Sequence, residues 1–117
     1  MSPMRTMVLT ALAAAMLAVA GGCRQTDVRT AIIAVPNVWN EACEARVRDA
    51  LRPLKGVQMD TIEIKNGVLV ARYDSMMLGL KNLEHAIKDA GFDANEFEGD
   101  PKARARLPKE CLEEPAR

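Results

Sequence analysis

VQMDTIEIK-NG-VLVARY, residues 57–73, is the stretch whose reading decides the fold. Two β-rich runs, residues 57–65 and 68–73, flank Asn66-Gly67, a pair that tolerates the positive φ angles of a tight two-residue turn and so marks a β-hairpin. Alternation along the runs points Ile62 and Ile64 inward on one strand, and Leu69, Ala71 and Tyr73 inward on the other.

Before the hairpin, residues 40–54 place Cys43, Val47, Ala50, Leu51 and Leu54 at spacings of three and four. Glu41, Glu44, Arg46, Arg48 and Asp49 take the opposite face, which predicts an amphipathic helix. Asn40 can cap its start, Glu41 and Glu44 suit the positive end of the helix dipole, and Pro53 with Lys55-Gly56 ends it. Earlier still, residues 30–35 (TAIIAV) read as a first strand with Ala31, Ile33 and Val35 on one face, closed by Pro36-Asn37. Beyond the hairpin, Leu80, Leu83, Ile87 and Ala90 form the apolar stripe of a second helix that stops at Gly91, and residues 92–97 are a short last strand. The order βαββαβ over residues 30–97 predicts an α+β, ferredoxin-like sandwich, with two helices on one face of a four-stranded antiparallel sheet. Residues 98–117 form a C-terminal tail, and no internal repeat competes with this division.

The chain opens with Arg5, an apolar run from Met7 to Ala20, and Gly21-Gly22-Cys23. A cationic lead, roughly a dozen apolar residues and a small-residue exit describe a signal peptide over residues 1–22, because a membrane span needs about 20 apolar residues. The cysteine directly after the small pair resembles a lipoprotein signal, which predicts acylation of Cys23 and a polar tether over residues 23–29. The protein is therefore expected to be exported and lipid-anchored to a bacterial membrane, on its periplasmic or extracellular face. Loss of Arg5 with the leader takes the 16 basic side chains to 15 against 16 acidic ones, a formal net charge of −1. With no basic excess and few aromatics, nucleic acid is not an expected partner.

Several landmarks fall at family separations: Val35-Pro36 leaving the first strand, Leu51 to Gly56-Val57 between helix and strand, Tyr73-Asp74 closing the hairpin, and Leu80, Leu83, Ala86-Ile87 running into Ala90-Gly91-Phe92. In these positions residues 30–95 resemble the heavy-metal-associated (HMA) domain, the module of copper chaperones and of the N-terminal arms of metal-pumping ATPases. The resemblance implies a loop of the form Met-x-Cys-x-x-Cys after the first strand, whose two thiolates hold a soft ion. Here the loop is degenerate, NxxC instead of CxxC: Cys43 matches the second cysteine, Asn40 stands at the first, and Val38 takes the methionine position. Phe92 occupies a position that in the family shields the metal loop.

Cu(I) and Hg(II) prefer thiolate sulfur to an amide oxygen, so Asn40 is a poor replacement ligand and Cys43 needs a second donor. Cys111, in the tail, is the available thiol, and an extended chain of about 3.3 Å per residue lets it reach the far end of a small domain. Together Cys43 and Cys111 would chelate a thiophilic ion, Cu(I) or Hg(II), or pair as a disulfide closing a loop of about 70 residues, worth roughly 4 kcal/mol by chain entropy. The expected partners are the metal ion, the membrane through the lipid anchor, and a metal transporter or other envelope protein. Met59, Met76 and Met77 are read as gap-filling side chains, and His85 as part of a solvated helix face. No nucleophile and base pair at a motif spacing and no phosphate loop is present, so no enzymatic activity is expected. The alternative is a metal-blind ferredoxin-like interaction module displayed on the membrane surface. The outward residues Ile32, Val68 and Val70 form a small apolar patch, expected to be covered either by the tail through Leu107 and Leu112 or by another chain.

Overall fold

The computed structural model describes residues 25–113; Cys23 and the leader read as a signal lie outside the described residues. No helix among the described residues is long and apolar enough to cross a membrane. The elements are β1 (Val28–Ala34), α1 (Glu41–Leu51), β2 (Val57–Lys65), β3 (Val68–Asp74), α2 (Leu80–Asp89) and two short turns of helix, α3 (Pro101–Arg104) and α4 (Lys109–Leu112).

The hairpin forms as its turn chemistry dictates, with Asn66 at φ 53° and Gly67 at φ 73°. β3 is the central strand, antiparallel to both neighbours in the order β1-β3-β2. Ala31 faces Ala71 and Ile33 faces Leu69 across one ladder, and Ile64 faces Leu69 across the other. The β2 ladder shifts register between Gln58 and Glu63. The Thr61 hydroxyl fills that irregularity, donating to the Gln58 carbonyl at 2.7 Å and accepting from the Arg72 N–H at 3.0 Å. α1 and α2 cover one face of the sheet. The buried core is drawn from Ala31, Ile33, Ile62, Leu69, Ala71 and Tyr73 of the sheet and from Cys43, Val47, Leu51, Leu83 and Ile87 of the helices.

The fourth strand expected over residues 92–97 is not formed: the sheet has three strands. Phe92 and Ala94 bury as a strand's inward residues would. Asn95 then adopts φ 52°, and the chain folds back in a tight bridge between Ala94 and Phe97. Asparagine tolerates the left-handed region because its short side chain bonds locally, and here it does so against β1. The Asn95 N–H donates to the Ala34 carbonyl at 2.9 Å, while its Oδ1 accepts from the Ala34 N–H at 2.8 Å. One residue thus imitates one rung of a missing ladder. Phe97 leaves the sheet for the surface of α2, its ring 4.8 Å from that of His85, with the Lys81 ammonium also 4.8 Å from its centroid.

The tail does not cover the open face of the sheet. Gly91 at φ 99° ends α2, Gly99 packs against the Gly91 backbone, and the Asp100 N–H bonds to the Lys88 carbonyl at 2.9 Å. These contacts turn the tail onto the helical side, where Leu107 packs on the core and Leu112 stays exposed. Ile32 is left 65% exposed and Val68 38%. Met76 and Met77 also depart from expectation: both are exposed rather than gap-filling, and only Met59 packs on the core.

Candidate metal centre

Asn40 begins the site because it is the N-cap of α1. Its extended backbone frees Oδ1 to accept from the Cys43 N–H at 3.0 Å, satisfying one of the orphan donors of the first helical turn. Cys43 is held by that bond on the inner side of the helix, where it is fully buried. Val38, also buried, stands at the position where the family resemblance implies a methionine, so the loop packs with an aliphatic side chain and no sulfur.

The tail arrives at the same helix mouth. α3 is capped by Asp100, whose carboxylate accepts from the Ala103 N–H at 3.2 Å, and Pro101 sits in the first turn. Leu107 and Pro108 then lead into α4, whose Cys111 side chain is buried at 2% exposure. Two side chains of the segment between β1 and α1 hold α4 in place through one carbonyl. Asn40 Nδ2 donates to the Glu110 oxygen at 2.8 Å, and Trp39 Nε1 donates to it at 3.3 Å. Asn40 is therefore both helix cap and tail clamp.

The result brings Cys43 and Cys111 side by side as free thiols. The Cys111 thiol is pushed up to about 12 from an ordinary 9.0, first by burial, then by its hydrogen bond with Cys43 and by the charge Cys43 would carry. The positive Arg46 opposes this and the negative Glu110 adds to it. At neutral pH Cys111 is thus a protonated thiol. Phe92 is fully buried in the same core cluster. His85 is exposed on α2 and belongs to the Phe97 contact instead. Among the described residues no group of three or more His, Cys, Asp or Glu side chains gathers to hold an ion. Two thiolates suit a soft ion that accepts low coordination.

Trp39 was not singled out by the sequence reading. An indole N–H shortly after the Val35-Pro36 strand exit was the available signal, since a half-buried tryptophan needs an acceptor.

No protein-family model matches this sequence, and no curated protein sequence matches it either. Among solved structures, the chain is similar to oxidised MerP from Ralstonia metallidurans CH34, with a TM-score of 0.53 and 22% identity, covering 59% of this chain and 96% of that one. What the two share is the fold: an antiparallel sheet with helices packed on one face.

Proposed function

We propose that this chain is a soft-metal-ion binding or carrier protein of the cell envelope, anchored through Cys23, that holds Cu(I) or Hg(II) between Cys43 and Cys111. The observation that carries the reading is the meeting of two thiols from opposite ends of the domain at the N-terminus of α1, in the frame of a fold shared with MerP. The similarity of residues 30–95 to heavy-metal-associated domains supports the same conclusion. Binding replaces the two sulfur-bound protons with one ion, so each ion taken up releases protons and affinity falls as the medium is acidified. Handover proceeds by ligand exchange between thiolates, without covalent chemistry on a substrate. Because both sulfurs are buried, the ion enters when α4 lifts from the Trp39 and Asn40 donors.

Calorimetric titration of the reduced protein with Hg(II) and with Cu(I) tests the proposal. The expected result is one ion per chain, lost in Cys43→Ser and strongly weakened in Cys111→Ser. Saturable binding that is unchanged in Cys43→Ser, or no saturable binding at all, overturns it. The second reading, a metal-blind interaction module, is favoured by the exposed Ile32 and Val68 on the open sheet face and is what remains in that event.

A further inference from the structure

The lost fourth strand leaves β1 as an edge of the sheet, and the hydrogen-bonding parity of that edge is readable. The Val35 N–H bonds to the Gly67 carbonyl at 2.7 Å and the Asp27 carbonyl accepts from the Ser75 N–H at 2.7 Å, so the odd-numbered residues of β1 direct their backbone groups towards β3. The even-numbered ones direct theirs outward, as the two bonds between Ala34 and Asn95 confirm. Asn95 thus consumes the outward groups of Ala34. Those of Val28, Thr30 and Ile32 have no partner among the described residues. The edge carries none of the usual protection against pairing. Val28–Ala34 (VRTAIIA) contains no proline and no lysine, and its one charge, Arg29, is folded back onto Asp27 at 3.1 Å. The three residues are exposed, and their side chains lie on the open face, continuing the apolar patch to Val70 and Val68.

An edge whose free groups sit on three alternate residues is complementary to itself. With a two-fold axis through Thr30, antiparallel pairing sets Val28 opposite Ile32 of a second copy, Thr30 opposite Thr30 and Ile32 opposite Val28. Each of these is a hydrogen-bonded pair, so every free N–H and C=O of the edge is used. The axis stands normal to the sheet, so both copies keep their helices on one side and merge their apolar patches on the other. A shift of two residues one way would set Val28 of the partner against Ala34, where Asn95 already sits, and the opposite shift would set Ile32 against Thr26, outside β1. From this register we infer that β1 is a homodimer interface, and that the second copy supplies the strand the sheet lacks, forming one continuous six-stranded sheet. The interface lies on the strand opposite β2 and uses neither cysteine.

The test is sedimentation equilibrium of the full chain in a mild detergent, paired with residue-resolved amide exchange at low and high protein concentration. A concentration-dependent dimer is expected, with protection of the Val28, Thr30 and Ile32 amides rising at least about tenfold as it forms. Thr30→Pro removes an outward N–H that no bond inside the fold uses, and is expected to give a folded monomer. Ile32→Lys, which protects the edge by charge, provides the same result if the proline variant fails to fold. A monomer at all concentrations, a dimer in which those three amides stay unprotected, protection that ignores concentration, or a dimer undiminished in both variants overturns the inference.

Discussion

Asn40 Nδ2 donates to the Glu110 carbonyl at 2.8 Å, joining residues 70 apart in the chain. The same side chain accepts from the Cys43 N–H, so one amide orients both members of the thiol pair. Asn40→Ala removes a helix cap, worth about 0.5–2 kcal/mol, and a tail anchor worth about 1 kcal/mol. Urea denaturation is expected to show a loss of roughly 2 kcal/mol, with faster alkylation of Cys111. Asn40→Asp keeps the cap and loses the donor, so it should free Cys111 at a smaller cost in stability.

Gly91→Ala tests tail docking without altering either cysteine. A Cβ at this position would lie 2.5 Å from the Arg104 nitrogen and 2.7 Å from its Cα, and φ 99° strains any side chain. The neighbours in contact are backbone, which cannot swing away. The expected outcome is a tail displaced from α2, read as proteolytic cutting after residue 100, and a loss of stability above about 1 kcal/mol in the same urea assay.

Cys111 gives the protein a pH signature. Its thiol is raised to about 12 in the folded state against 9.0 for an ordinary thiol, so the stability it lends is complete below pH 9. As pH rises from there the unfolded chain ionises first, the folded state holds the extra proton, and stability falls until about pH 12. The slope attributable to this one group is about 1.4 kcal/mol per pH unit. Comparing urea midpoints of the native chain and Cys111→Ser across that window should show a shallower fall in the variant. An equal fall in both would contradict the assignment.

The same burial predicts slow chemistry at neutral pH. Iodoacetamide should modify Cys43 and Cys111 much more slowly than a small-molecule thiol at pH 8, because the reactive species is a solvent-accessible thiolate. Mild denaturant that releases α4 before global unfolding should raise the rate of both together.

The elements legible in the sequence were those whose causes are local. Asn66-Gly67 sets its own turn, Asn40 caps the helix that follows it, and Gly91 ends α2 wherever the rest of the chain goes. β1 begins at Val28, earlier than the run that starts at Thr30, because the Ser75 N–H to Asp27 bond extends its pairing. The missing strand was not legible, since Phe92 and Ala94 bury as strand residues do and only the backbone angle of Asn95 turns the chain away. Nor was the side of the sheet that receives the tail. Leu107 and Leu112 suit either face by composition, and the choice falls to the glycine-to-glycine approach at Gly91 and Gly99, a contact between two backbones that leaves no hydrophobic pattern. The adjacency of the two thiols depends on that same approach, so no spacing rule along the chain could announce it.

Cys111 reaches the core along a tail laid across the α2 terminus, through the approach of Gly99 to Gly91 and the Asp100 N–H bond to the Lys88 carbonyl. A protease that nicks the tail near Asp100 would break the covalent link between the domain and the Cys111 thiol. The continuity of the C-terminal segment is what keeps Cys111 beside Cys43.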